Sequence, residues 1–448
     1  MSQNLSDLTQ AMLSAAKTAG ADASDAIAVD GTSISIDVRA GALEHAERSE
    51  GVEIGLRVFV GQRSAIVSSS DTKPATLTEM AARAVAMAKE APEDPHAGLA
   101  DPDQLATNLD VSRLEMFDPS DEPAAEALQE EAARAEAAAL ANKDITQVQS
   151  ASAGYNRRQI HLSASNGFSG GYARTDKGMS CVAISGTGTD MERDYDYDSR
   201  IFQADMRDAE DIGRIAAERA VERTGARKPK TGAFPVLFDE RIASSLIGHL
   251  VNAANGATIA RGSGWLRELL GEQVLPAHLS IIEDPHRLRT SGSKLFDAEG
   301  LPTKRRAIVE NGVLQGWTLD LANARKLGMQ STASAARGTS NGPSPSTTNI
   351  ALTQGDKSRA DLLAEMGTGL LITSMIGSTI NPNTGDYSRG ASGFWIENGE
   401  VTYPVNECTV AGNLRDMLMR MTPTNDARAH LSTVVPSLLV EGLTLAGE

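Results

Sequence analysis

Cysteine is almost missing from this chain of 448 residues, which holds only Cys181 and Cys408. Two thiols make neither a disulfide framework nor a cysteine-based zinc site. Aromatic residues are scarce at 4%, so the 41% of hydrophobic residues must build cores mainly from Ala, Val, Ile and Leu. Basic residues are outnumbered 42 to 59, giving a net charge of −17. Binding a phosphate backbone requires a basic footprint. The densest basic runs, residues 227–230 and 304–306, are too short to supply one, so no nucleic-acid partner is expected. Long hydrophobic runs are also missing. No stretch approaches the ~18 apolar residues of a membrane span, and residues 1–8 lack the basic and apolar regions of a signal peptide. A soluble, cytoplasmic protein with no membrane contact is expected.

Glycine is plentiful, at 40 residues, which points to turns and close backbone approaches rather than a helical bundle. A length prior of roughly 150 residues per domain gives two or three domains. Residues 5–19 read as a helix: Leu5, Leu8, Met12 and Ala16 recur at helical spacing and Gly20 is a plausible stop. Strand alternation follows, with Ile34, Ile36 and Val38 on one face. Strands are expected at 51–60 and 63–69 and a helix at 77–89. Residues 91–124, with Pro92, Pro95, Pro102, Pro119 and Pro123, form the clearest break in the pattern. Beyond it come a helix at 124–141, strands at 146–154, 159–164, 170–175 and 180–187, and a helix at 209–224. This order resembles the first stretch and suggests an internal repeat of helix, strands, helix.

A second boundary falls at 225–230. From 231 onward short apolar runs are split by Gly, Asn, Pro and Ser, the signature of a mostly antiparallel β domain, barrel-like or sandwich-like. Helices interrupt it near 242–254, 358–365 and 414–421. The expected fold is α+β. An N-terminal domain of mixed helices and antiparallel strands covers 1–228, and a barrel-like β domain with a few helices covers 229–448.

Candidate chemistry is thin. No two of the seven histidines stand at HExxH or HExxxH spacing, so a catalytic zinc site within the chain is not expected. Asp194, Asp196 and Asp198 share one strand face, and a solvated face is the expectation, since Ser199 and Asp205 stand where a calcium loop needs Gly and Glu. Ser291 and Lys294 match S-x-x-K and residues 230–232 match K-T-G, but in reversed order and without S-D-N between them. Cys408 is expected to be a packed core thiol, and Gly186-Thr187-Gly188 is too short to argue for phosphate binding.

Longer matches lie in the C-terminal half. They include Asn255-Gly256 with Arg261-Gly262-Ser263, and Phe296-Asp297-Ala298-Glu299-Gly300 before Glu310-Asn311-Gly312-Val313-Leu314. Further on come Ala324-Arg325-Lys326-Leu327-Gly328, the run Asn381-Pro382-Asn383-Thr384-Gly385-Asp386-Tyr387-Ser388-Arg389-Gly390, and Pro436-Ser437-Leu438-Leu439-Val440-Glu441-Gly442-Leu443. These resemble the TldD/PmbA family, also called the modulator of DNA gyrase family, and Gly385 to Gly390 resembles its PmbA (TldE) branch. The resemblance implies a two-chain cytoplasmic peptidase whose TldD-type chain binds zinc through HExxxH and a late cysteine. The equivalent helix here reads Ser244-Ser245-Leu246-Ile247-Gly248-His249. Only the second histidine survives, as His249; Ser244 and Ser245 replace the first histidine and the glutamate. A serine hydroxyl is a poor zinc ligand and no general base. The resemblance therefore implies a subunit without catalytic residues or metal of its own, zinc being carried by the TldD-type partner. His249 is then expected to be structural, bonded to a backbone carbonyl. Arg261, Tyr387 and Arg389 are candidates to line an interface or peptide channel, their alternative role being internal structure. The implied partners are the zinc-bearing chain, unfolded peptides and, for the isolated chain, a second copy. The other function considered is a regulatory protein of the gyrase-modulator type that acts without proteolysis.

Overall fold

The computed structural model describes residues 4–447. Of the first eight residues, 1–3 lie outside that range. The N-terminal half is one six-stranded antiparallel sheet with four helices packed on one face. Its elements are α1 (Leu5–Ala19), β1 (Ala23–Arg39), β2 (Ala42–Val60), β3 (Arg63–Ser69), α2 (Pro74–Glu90), α3 (Ala125–Leu140), β4 (Ile145–Ala164), β5 (Ser169–Ser185), β6 (Glu192–Arg200) and α4 (Ala209–Glu222). The strand order is β3-β2-β1-β4-β5-β6. Helix, three strands, helix thus occurs twice, and the copies join through β1 and β4 into a sheet with the same order read outward from its centre.

Alternation fixes which face is buried. On β1 the even positions Ala26, Ala28, Ile34, Ile36 and Val38 lie in the cores beneath the helices, with Ile54, Leu56 and Val58 of β2 and Ala151, Ala153 and Tyr155 of β4. The strands are longer than the sequence suggests. The runs at 146–154 and 159–164 are one strand, as are those at 170–175 and 180–187, because polar residues between them continue the alternation instead of turning. Helices α3 and α4 approach closely at Gly213, where a Cβ would stand 1.9 Å from the Ala135 carbonyl oxygen.

The three aspartates of β6 are not solvated, contrary to expectation: each is less than a tenth exposed. Asp194 meets Arg241 at 2.9 Å and Arg223 at 3.6 Å, Asp196 meets Arg207 at 2.7 Å and Arg219 at 2.8 Å, and Asp198 meets Arg200 at 3.0 Å. Their face is the one α4 covers. Four of the arginines (Arg207, Arg219, Arg223 and Arg241) come from α4, its approach and the start of α5 (Glu240–Ala253), partners that strand patterning cannot reveal.

Residues 91–124 break the pattern but not the packing. Leu114 and Met116 lie in a core with Ile27, Phe168, Leu295 and Phe296, and Arg325 donates to the carbonyls of His96 (3.2 Å) and Leu99 (2.6 Å). The interval lies between the two halves.

The C-terminal half begins with β7 (Gly232–Phe238), α5 and α6 (Gly256–Ala260). A small layer follows: β8 (Ile281–Glu283), β9 (Arg306–Glu310), β10 (Val313–Leu314), α7 (Leu321–Leu327), β11 (Ala335–Ala336), β12 (Ser344–Pro345), β13 (Ile350–Leu352) and α8 (Arg359–Met366). The long strands are β14 (Gly369–Ile380), β15 (Asp386–Glu397) and β16 (Glu400–Asn413), with α9 (Leu414–Met419), β17 (Met421–Pro423), β18 (Thr433–Val434) and β19 (Leu438–Ala446). The order β16-β15-β14-β7-β19 closes on itself through a β16–β19 pairing, so five strands form a barrel, antiparallel except between β14 and β7. The fold is α+β with a barrel-like C-terminal region, as expected. Trp395 is fully buried, with Phe234 edge-on at 5.0 Å.

Candidate functional site

Helix α5 starts at Asp239, whose side chain caps the backbone N–H of Arg241. Ala243, Leu246, Ile247, Leu250 and Val251 form its apolar stripe and enter the core that the barrel strands share. That stripe sets the direction of the other side: Ser245 and His249 stand one turn apart and neighbour each other. The Ser245 Oγ and the His249 Nε2 are both buried and neither has a hydrogen-bond partner. The carbonyl partner expected for His249 is therefore not found at Nε2. Buried polar atoms are seldom left so.

Two of the three channel candidates converge on this spot. Tyr387 lies 2% exposed, its ring edge-on to His249 with centroids 6.0 Å apart, and its hydroxyl donates to the Met375 sulfur at 3.4 Å. Its role is internal: it fills core beside His249 instead of lining a surface. Burial pushes the Tyr387 phenol up to about 12. Arg389 follows two residues later on the same strand face, half-buried, with Nε donating to the Gly377 carbonyl at 2.7 Å. Burial lowers the His249 pKa, and the Arg389 charge lowers it further. His249 is thus a neutral imidazole between a phenol and a guanidinium. Arg261 stands apart, exposed at the end of α6, its nearest side-chain partner being Thr258 at 3.3 Å. Four residues on, Trp265 holds the 381–385 turn, its backbone N–H donating to the Pro382 carbonyl at 3.0 Å.

These residues do not fit a zinc ion. The donors are one imidazole and neutral hydroxyls, whereas zinc takes imidazole, thiolate and carboxylate. Cys408 does not complete a set: its buried thiol donates to the Ala391 carbonyl at 3.1 Å and is pushed up to about 11 by burial. Among the described residues no three His, Cys, Asp or Glu side chains are grouped to hold a metal.

Matches to family models span nearly the whole chain. PmbA/TldA metallopeptidase domain 1 matches residues 24–88, the central domain 117–224 and the C-terminal domain 231–447. This chain belongs to the PmbA/TldD family. It is 38% identical to metalloprotease PmbA of Escherichia coli O157:H7, over 93% of this chain and 90% of that one. It is 37% identical to a PmbA homologue of Haemophilus influenzae, over 96% and 94%. A candidate modulator of DNA gyrase from Bacteroides thetaiotaomicron superposes with a TM-score of 0.91 at 27% identity, over 99% and 98% of the two chains. TldE of Thermococcus kodakarensis shares the fold, with a TM-score of 0.85 at 20% identity over 98% and 100%.

Two clefts lie on the sheet face opposite the helices, between it and the C-terminal half of this PmbA/TldD-family chain. One, of about 700 Å³, has Val29, Gly31, Glu53, Arg158, Ile160 and Tyr172 as its floor and Lys294, Phe296 and residues 335–340 opposite. The other, of about 780 Å³, runs over Asn156, Arg158, Arg174 and Asp176 beneath residues 288–291 and 429–432. Ser291 lines the second and Lys294 the first, and the Lys294 Nζ donates to the Ala335 carbonyl at 3.1 Å. The S-x-x-K match thus assembles no nucleophile and base. The clefts were missed in the sequence, although the alternation of Asn156, Arg158, Ile160 and Leu162 marks one strand face.

Proposed function

We propose that this chain is a non-catalytic, PmbA/TldE-type subunit of a two-chain zinc peptidase that acts on unfolded peptides in the cytoplasm, with zinc carried by a TldD-type chain. The observation that carries this reading is the chemistry of α5. Where a family zinc helix needs a histidine and a glutamate, this chain has Ser244 and Ser245, and the surviving His249 is a neutral imidazole packed against Tyr387. A zinc peptidase needs a metal-bound water and a carboxylate to take its proton; this spot has neither a ligand set nor a carboxylate. What the chain retains is the fold, the barrel and clefts bounded by rigid sheet. These suit it to complete a chamber with a related chain, and the isolated chain could use the same surface to pair with a second copy.

Affinity capture of the chain from an extract of its own organism tests this. Recovery of a TldD-type chain is expected. A second reading, a regulator of the gyrase-modulator type, is supported by the likeness to the Bacteroides protein and by a net charge of −17, suited to a basic protein partner. Recovery of gyrase with no TldD-type chain would favour that second reading and overturn the first.

A further inference from the structure

The two clefts share Arg158 and lie on one continuous face. Cleft one runs over β2, β1, β4 and β5, and cleft two over β4, β5 and β6. The register places Glu53, Val29, Ile160 and Tyr172 in one row across the strands, and Gly51, Gly31, Arg158 and Arg174 in the next. Five strands at about 4.8 Å apart make a floor about 19 Å wide, which about six residues of extended chain would span.

The charges along this floor are unevenly committed. Asp297 accepts from the backbone N–H groups of Glu299, Leu301 and Ala335. Glu53 accepts from Thr339, Glu50 from Arg48, and Asp205 from Arg289. The cations are less used. Arg158 is exposed and makes no hydrogen bond or ion pair among the described residues, although Asp176 lies within its electrostatic reach. Lys294 donates one hydrogen bond, to the Ala335 carbonyl, and burial lowers its pKa although Asp297 and Glu283 lie within electrostatic reach. Arg174 is already spent on the carbonyls of Ser291 and Ser293. Around Arg158 and Lys294 the surface is apolar, with Val29, Ile160, Tyr172 and Phe296. On a chain this acidic, an exposed guanidinium with apolar surface beside it, and carboxylates nearby that mostly already accept hydrogen bonds, is suited to an anionic, partly apolar ligand.

We infer that the joined clefts bind an extended peptide of about six residues, laid across the strands, with a carboxylate against Arg158 and Lys294 and an apolar side chain on Ile160 and Tyr172. The inference takes peptide as the ligand class from the proposed function. It is nevertheless tested on this chain alone, so its failure would leave the subunit assignment standing.

The probe is a fluorescein-labelled apolar hexapeptide with a free C-terminal carboxylate, followed by anisotropy with the full-length chain. Saturable binding is expected, weakened about tenfold or more by Arg158→Ala, the loss typical of a charge-assisted hydrogen bond. Arg157→Ala, on the other face of the same strand, should leave it unchanged. The C-terminal amide should bind as weakly as the Arg158→Ala variant does. An amide carrying an internal Glu shows the source of the carboxylate: recovered binding assigns a side chain, and continued weakness assigns the terminus. The inference is overturned by no saturation up to about 1 mM peptide, by equal binding of the plain amide, or by full binding in Arg158→Ala.

Discussion

Asp25 is the most informative place to disturb the join between the two halves of the molecule. It lies at the start of β1, 3% exposed. Its carboxylate accepts from Arg57 of the neighbouring strand, at 2.8 Å for Nε, and from Arg337 of the C-terminal half. The Arg337 side chain is itself wholly buried, and its second terminal nitrogen has no partner. Burial alone would raise the Asp25 pKa, but Arg337 and Arg57 more than offset it and hold the carboxyl below its ordinary 3.8. Asp25→Asn keeps the shape and removes the charge, leaving two guanidinium groups buried without a counter-ion. Breaking a buried pair from one side costs about 3–5 kcal/mol, which lowers the urea midpoint by about 1–2.5 M for a slope near 2–3 kcal/mol/M. The pH sign is fixed. A depressed carboxylate stabilises above its unfolded pKa and loses that contribution as pH falls, so the gap between wild type and variant should be full near neutrality and shrink below about pH 4. A double-mutant cycle with Arg337→Met should show strong coupling. A loss below about 1 kcal/mol, or one independent of pH, would refute the reasoning.

His249→Ala, assayed in a complex with the TldD-type chain, should leave zinc content and peptide cleavage close to wild type; loss of zinc would show that this chain contributes a ligand. Three histidines, His161, His249 and His430, are held below their ordinary 6.5, chiefly by burial. The unfolded chain then binds protons more readily, and thermal melts should show stability declining as pH falls below about 6.5. Glu299 acts in the opposite sense. Burial, with Asp297 beside it, pushes its carboxyl up to about 8, so its contribution is full below 4.5 and is lost as pH rises toward 8; Glu299→Gln should flatten melts across that range. Gly213→Ala puts a methyl on the Ala135 carbonyl and should cost about 1–3 kcal/mol in chemical denaturation. Burial pushes the thiols of Cys181 and Cys408 up to about 12 and 11, so mass spectrometry should find neither alkylated by iodoacetamide in the native protein at neutral pH.

Local periodicity made the helices and the α+β class legible. Leu5, Leu8, Met12 and Ala16 mark α1 because a helix face buries every third or fourth residue. The short runs after Phe234 mark a mostly antiparallel β region, barrel-like or sandwich-like, because turn residues separate them. Two other features depend on contacts distant in sequence. The aspartates of β6 alternate as a solvated strand would, and only the positions of Arg207, Arg219, Arg223 and Arg241 in space make that face buried. Arg158 and Lys294 stand 136 positions apart, 294 − 158, and no spacing rule brings them to one cleft. The absence of any HExxxH run was visible in the sequence. That His249 would face Tyr387 and Arg389 was not, since the pairing of β15 within the barrel decides it.

The central claim is that catalysis belongs to the complex and zinc to the other chain. Its most direct test mixes this chain with the TldD-type chain of the same organism and measures bound zinc and cleavage of an unfolded peptide, with each chain alone as control. Cleavage in the mixture, with zinc on the TldD-type chain and neither zinc nor cleavage in this chain alone, is the result predicted. Stoichiometric zinc and peptide cleavage by this chain alone would contradict it.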